Sequence, residues 1–197
     1  KKINISLSHD DRFDPITHEK FTSQATEMAL SPNKEQLLIG VRGELFVRSS
    51  DKDKKRTVQL THHSYRDQAA KWLNDSTVLF ISDRGGNKDL YVLKSTDLDQ
   101  PNLLKSMKHG ITQLPSTPFE ESNFILSPDR EKIVIIRSRH SVLVADIDST
   151  GALHNEKTLM EGWANPNNVV WSPDGKWLAY SMPDLNFNHE IYIRAAD

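Results

Sequence analysis

The sequence predicts an all-β chain of about four four-stranded antiparallel sheets, arranged as consecutive blades of a partial β-propeller. Two observations predict this fold: one motif occurs four times, and a short apolar strand follows every copy. The copies begin at Leu30, Trp72, Leu126 and Trp171, and they align without a gap at steps of 42, 54 and 45 residues. A period of roughly 40–45 residues built from short strands is typical of propeller blades.

The motif itself reads as a hairpin turn, and its clearest copy is Ser172-Pro173-Asp174-Gly175. Proline sets φ for the turn, and the serine and aspartate side chains bond nearby backbone amides. Gly175 adopts the left-handed conformation at no steric cost. Lys34, Ser76 and Arg130 stand at this place in the other copies. We expect each to cost about 1 kcal/mol wherever its φ is positive.

Each repeat is expected to contain four strands in the same order. The innermost strand precedes the turn, near residues 26–30, 68–72, 122–126 and 167–171. The second strand is continuously apolar, which predicts a strand covered on both faces by neighbouring blades. A third strand follows in every copy, at residues 44–47, 89–92, 141–144 and 190–193. The outer strand should be more polar because it faces solvent, and it is expected at residues 57–61, 102–106 and 157–160.

These strands place the blades at residues 26–61, 67–107, 120–160 and 166–197. The last blade ends after its third strand, and residues 3–7 form an alternating strand that looks like the outer strand of another blade. Both observations favour a fragment of a larger propeller. Trp72 and Trp171 share one repeat position, where packing between blades is expected rather than a stacking site for a ligand.

Composition excludes several classes of function. The chain has 197 residues, a formal charge of −2 and no cysteine, so it has no disulfide and no thiolate metal site. Acidic and basic residues are well mixed, and the one basic cluster, residues 52–56, is expected to be a solvated loop. We therefore expect no nucleic-acid partner. No apolar run approaches the ~18 residues of a membrane span.

The motif resembles the propeller repeats of tricorn-type proteases and of the periplasmic Tol-system propeller protein. Three further segments are similar to tricorn-type blades: residues 40–47, residues 59–61 with 81–91, and residues 186–193. The resemblance covers nearly the whole chain, and Arg42-Gly43-Glu44 is its more specific part. The eroded turn at Leu73-Asn74 and the proline-rich insertion at residues 114–118 depart from the family pattern.

The resemblance implies a non-catalytic portion of a tricorn-like serine protease that gates or presents peptide substrates. In that family the propellers precede a PDZ-like module and peptidase domains, and none of the catalytic segments occurs in this chain. The implied partners are peptides or unfolded polypeptide, those downstream domains, and further copies of this chain. A periplasmic or secreted location is favoured for a bacterial parent, and the cytoplasm is left open. The alternative is a non-enzymatic protein-interaction propeller similar to the Tol-system protein.

No pattern in the sequence indicates catalytic or metal chemistry, and no cofactor is expected. The nucleophile motif Gly-x-Ser-x-Gly is absent, and the repeated serines are read as turn residues. His62-His63 lacks carboxylates at ligand spacing. Residues 83–89 lack the closing glutamate of an EF-hand loop and are expected to form a glycine-rich hairpin. Asp10, Asp11 and Asp14 are read as a solvated segment.

The candidate binding residues are polar side chains that precede each turn on the predicted inner strands: Glu27, Gln68, Asn123 and Asn168. Inner strands line the central channel of a propeller, so these side chains should lie near a channel mouth. Contact with a peptide is the functional interpretation, and ordinary solvation of the channel is the alternative.

Overall fold

The computed structural model describes residues 20–114, 118–137, 141–164 and 166–196. In these ranges the chain is all-β, with 15 strands and no helix. Accordingly, the described residues contain no helix long and apolar enough to cross a membrane. The predicted strand at residues 3–7 and the acidic segment at residues 10–14 lie outside the described residues.

The strands form four antiparallel sheets, one for each copy of the motif, and we call these sheets blades 1 to 4. Blade 1 contains β1 (Ala25–Leu30), β2 (Gln36–Val41), β3 (Glu44–Ser49) and β4 (Thr57–Gln59). Blade 2 contains β5 (Asp67–Trp72), β6 (Thr77–Ser82), β7 (Asp89–Ser95) and β8 (His109–Gln113). Blade 3 contains β9 (Glu121–Leu126), β10 (Lys132–Arg137), β11 (Ser141–Ile147) and β12 (Leu153–Glu161). Blade 4 contains β13 (Asn167–Trp171), β14 (Trp177–Pro183) and β15 (His189–Ala195).

Within every blade the strands are neighbours in chain order, so each blade is a meander running outward from its inner strand. Blade 4 has three described strands, as expected from a repeat that ends after its third strand. The predicted all-β, four-bladed architecture is confirmed.

The core lies between consecutive blades rather than inside any one of them. One cluster joins blades 1 and 2, a second joins blades 2 and 3, and a third joins blades 3 and 4. Strand β6 shows why: Val78 and Phe80 enter the first cluster, while Leu79 and Ile81 enter the second. All six residues of β6 are buried, which confirms the expected strand covered on both faces.

The motif turns agree with expectation in three copies. Lys34, Arg130 and Gly175 all have positive φ, at 62°, 63° and 68°. In each of these turns the hydroxyl of the first serine accepts a hydrogen bond from the backbone amide that follows the turn. In blade 4, for example, the amide of Trp177 donates to Ser172 Oγ.

The second copy of the turn differs, and its gapless alignment with the others is wrong. The amide of Leu73 bonds the carbonyl of Thr77, four residues on, whereas Ser172 bonds Trp177, five residues on. This turn is therefore one residue shorter. Ser76 is not among the described residues of positive φ, so it does not correspond to Lys34 or Gly175.

The outer strand of blade 2 also lies elsewhere than predicted. Residues 102–106 form a turn, and the outer strand is β8, His109–Gln113. The expectation that an outer strand is polar was not enough to identify it, because residues 102–106 are a turn whose Leu103 is fully buried in the core between blades 1 and 2. A loop that folds back into a core carries apolar residues just as a strand does.

The outward faces of the two end blades remain open among the described residues. On blade 4, Val170, Ile191 and Ile193 are exposed, and Ile191 is 81% exposed. On blade 1, Met28 and Leu30 are exposed, and Met28 is 69% exposed. Neither face belongs to any of the three core clusters.

Candidate functional site

The candidate site is built on irregularities in the inner strands. The ladder is interrupted between Gln68 and Lys71 in β5, and similar interruptions occur in β1 and β13. Ala69 and Asn168 adopt positive φ at two of these places. Such bulges re-aim side chains and are frequent beside binding sites.

Two of the four predicted residues, Glu27 and Gln68, line the same cavity between blades 1 and 2. Its volume is about 470 Å³. The inner strands supply part of its wall, and the β2–β3 and β4–β5 connections supply the rest. The lining residues are Thr26, Glu27, Arg42, Gly43, Arg66, Asp67, Gln68 and Ala69.

Glu27 is half-buried and is held across the blade junction. Its Oε2 accepts a hydrogen bond of 2.9 Å from the amide of Ala70 in β5. Gly40 makes room for it, since a Cβ there would lie 2.6 Å from Glu27 Cγ. Burial raises the pKa of the Glu27 carboxyl, although the hydrogen bonds from the β5 backbone oppose that rise.

Asn123 and Asn168 lie apart from this cavity. Both are exposed, on β9 and β13. Asn123 uses its Oδ1 to accept the amide of the next residue, Phe124, at 2.8 Å. Asn168 occupies the bulge of β13 with a φ of 53°, a conformation that asparagine tolerates well.

Sequence reasoning missed Lys71, which links blades 2 and 3 beside Glu27. Its Nζ donates a 2.9 Å hydrogen bond to the carbonyl of Phe124 and lies 5.2 Å from the centre of that ring. Burial lowers the pKa of the Lys71 ammonium, and the nearby Glu27 carboxylate opposes this effect. A signal was present: Ala29, Ile125 and Val170 stand at this repeat position in the other copies, and lysine alone is charged.

Sequence reasoning also missed the two arginines that line the cavity, Arg42 and Arg66. The guanidinium of Arg42 lies 5.7 Å from the centre of the Phe21 ring. The backbone of Arg66 is fixed by a 2.8 Å hydrogen bond from its amide to Asp83 Oδ1. Asp67 is different, because its carboxylate is buried and bonded twice by Arg84. Apart from the paired Asp67, the cavity thus combines two cations, an amide and one carboxylate.

Exposed aromatic side chains accompany these connections along the same edge of the blades. Because strands alternate in direction, the β2–β3 type hairpins and the links from one blade to the next leave the sheets at one edge. We call this edge the aromatic rim. Its exposed aromatic residues are Phe21, Tyr65, Phe119, Trp163 and Phe187. Trp163 and Phe187 pack edge to face with ring centres 5.7 Å apart.

The other motifs considered in the sequence have structural roles. Residues 83–88 connect β6 to β7 as the expected hairpin, and Gly86 there has a φ of 99°. Ser31, Ser127 and Ser172 are turn residues, as predicted. Nowhere in the described ranges do three or more histidine, aspartate or glutamate side chains gather as a metal site would require.

Comparison with known proteins gives similarity in structure only. No family model matches the chain, and no curated protein matches it. Solved structures do match the chain. The chain is similar to TolB from Acinetobacter baumannii, with a TM-score of 0.63 and 20% identity over 88% of this chain and 41% of that one.

Two similar structures are proteases. For the tricorn protease the TM-score is 0.59 and the identity 12%, over 87% of this chain and 15% of that one. The fold is that of a β-propeller. For a puromycin-hydrolyzing peptidase of Mycobacterium tuberculosis the TM-score is 0.62 and the identity 12%, over 86% of this chain and 27% of that one. The propeller spans less than half the length of each of these three proteins, and at such identities the likeness concerns the fold alone.

Proposed function

We propose that this chain is the non-catalytic β-propeller portion of a tricorn-like serine protease, where it gates or presents peptide substrates. The observation that carries the proposal is the cavity between blades 1 and 2, where Glu27 and Gln68 meet Arg42 and Arg66. The likeness of the fold to propellers within a protease and a peptidase supports it. The partners in this proposal are peptides or unfolded polypeptide, with PDZ-like and peptidase domains elsewhere in the parent.

The groups that line the cavity suit the backbone of an extended peptide. Gln68 offers both a donor and an acceptor, as each peptide unit does. Arg66 and Arg42 are suited to a carboxylate or a carbonyl, and Glu27 to an ammonium or an amide. The volume of about 470 Å³ lies within the usual range of ligand cavities, roughly 300–1,000 Å³.

The test is a fluorescence anisotropy titration of the purified chain with labelled, unstructured peptides. We expect Gln68→Ala and Arg66→Ala each to weaken binding about tenfold, which corresponds to about 1.4 kcal/mol. The matched control is Asn123→Ala, because Asn123 lies on an inner strand outside the cavity. Equal loss in all three variants, or no binding by the wild type, would contradict the proposal.

The second candidate is a non-enzymatic interaction propeller similar to the Tol-system protein. The aromatic rim favours it, because exposed aromatic residues are enriched at protein interfaces. In that case Trp163→Ala with Phe187→Ala would abolish capture of a folded protein partner and leave peptide binding unchanged. The parent sequence also separates the two: a PDZ-like module and a peptidase domain support the first candidate, and a stop soon after a complete propeller supports the second.

A further inference from the structure

Two buried carboxyl groups face each other at the junction of blades 2 and 3. Asp89 begins β7 and Glu121 begins β9, and their exposed fractions are 2% and 4%. The amide of Glu121 donates to the carbonyl of Lys88 at 2.7 Å, which fixes the two strands side by side. Carboxylates are rarely buried to this extent without full compensation.

Most of the oxygens of this pair have ordinary donors. Gln113 Nε2 donates to Asp89 Oδ2 at 2.7 Å. The amide of Leu90 donates to Glu121 Oε2 at 3.1 Å, and Arg137 Nε donates to Glu121 Oε1 at 3.2 Å. Asp89 Oδ1 is the exception: it is buried and has no donor among the described residues.

The Glu121 side chain reaches Asp89 from blade 3: its Oε2 accepts from the amide of the next residue, Leu90, and its interaction with the Asp89 carboxyl lowers the pKa of that group. Two carboxylates offer only acceptors, so a hydrogen bond between them requires one proton. We propose that Asp89 and Glu121 share a single proton that fastens blade 2 to blade 3, and that its loss weakens this junction.

Other charged groups lie around this pair among the described residues. Arg137 pairs with Glu121 at 3.2 Å, and Arg84, which stacks on the Tyr91 ring, pairs with Asp67. Arg84 is committed to Asp67, with nitrogen–oxygen distances of 2.8 and 2.9 Å. Arg137 acts on both carboxyls of the Asp89–Glu121 pair, because its charge lowers the pKa of each. The nearby Tyr91 hydroxyl adds no cation.

The directions of the pKa values agree with this geometry. Burial raises the pKa of both Asp89 and Glu121, while Arg137 opposes the rise at each. A carboxyl whose pKa is raised on folding binds its proton more tightly in the native state than in the unfolded chain. Its stabilising effect is therefore complete below the unfolded pKa and is lost as the pH rises through the folded one. Stability should fall with rising pH, the reverse of a salt-bridged carboxylate.

The test compares wild type with Asp89→Asn in thermal unfolding between about pH 4.5 and about pH 8. An asparagine amide can donate permanently to Glu121 and still accept from Gln113, so it replaces the shared proton. We expect the variant to lose the decline in Tm with pH and to exceed wild type at the upper end by about 3 °C or more. Asp53→Asn is the matched control, because it makes the same charge change on an exposed loop.

A second measurement does not depend on the fold of the variant. Carbon-13 NMR of the side-chain carboxyls in the wild-type chain should show Asp89 and Glu121 titrating together, in two coupled steps, the later one above the ordinary carboxyl range. Independent titration of both groups at ordinary values would overturn the proposal. So would a Tm of Asp89→Asn with the same dependence on pH as wild type.

Discussion

The indole nitrogen of Trp72 in blade 2 donates a 3.0 Å hydrogen bond to the carbonyl oxygen of Ala29 in blade 1. The same relationship recurs between blades 4 and 3, where the indole of Trp171 donates at 3.2 Å to the carbonyl of Ile125. The expected packing role of these tryptophans is confirmed. Each also satisfies a backbone carbonyl of the preceding blade, which a leucine at this position is unable to do.

Replacing Trp72 with phenylalanine should therefore destabilise the chain by about 1–3 kcal/mol. The ring is kept in part, but the carbonyl of Ala29 loses its donor inside the junction. Urea unfolding followed by circular dichroism measures the change. Trp177→Phe is the control, because Trp177 lies half-exposed on the outward face of blade 4 and should cost less than about 0.5 kcal/mol. Equal effects at the two sites would show that only ring size matters.

The buried ion pair of Arg84 and Asp67 should be far more sensitive to substitution than an exposed one. Arg84→Met leaves the Asp67 carboxylate uncompensated, since that side chain is only 1% exposed. We expect a loss of about 3–5 kcal/mol. Lys54→Met removes the exposed pair with Asp51, where the lysine is 74% exposed, and should cost less than about 1 kcal/mol. Chemical denaturation of both variants gives the comparison, and a similar small loss in each would contradict the assignment.

The isolated chain is expected to cleave no peptide. The sequence lacks Gly-x-Ser-x-Gly, and Ser31, Ser127 and Ser172 have their hydroxyls engaged within turns. Mass spectrometry of unstructured peptides incubated with the purified chain measures this directly. Cleavage that disappears on a point change within these 197 residues would refute the prediction.

The chain is expected to associate with further copies of itself through the open faces of blades 1 and 4. Apolar area of this kind is normally covered in a soluble protein. Ile191→Lys with Ile193→Lys should reduce the mass measured by light scattering at micromolar concentration. Leu98→Lys is the control, since Leu98 is more exposed than either isoleucine but lies on a loop of blade 2. A wild-type chain that is strictly monomeric would count against the prediction.

Much of the fold can be predicted from the sequence because each copy of the repeat contains residues that favour its local structure. Proline and aspartate fix the turns, and a continuously apolar strand such as β6 signals burial on both faces. The misses arise where tertiary contacts override local pattern. Residues 102–106 and β8 are both mostly polar, so polarity alone did not distinguish the outer strand of blade 2 from a turn whose Leu103 is buried in the core.

The candidate site was only partly accessible to the same reasoning. Glu27 and Gln68 were found because polar residues stand out on inner strands, but their meeting in one cavity depends on bulges that no residue pattern marks. Arg42 and Arg66 belong to connections whose course is set by the neighbouring blade. Lys71 could have been found from its repeat position, had the four copies been compared charge by charge.

The division of the core into three clusters, each shared by two adjacent blades, makes the stability of this chain a nearest-neighbour property. A single blade buries too little apolar surface to stay folded alone. Unfolding should therefore begin at one of the two end blades and proceed inward. The amides of β6 and β10, each enclosed between two clusters, should be the last to exchange with solvent, and those of β1 and β15 the first. The chain therefore has no single central core, and each blade stays folded through its contact with the next blade.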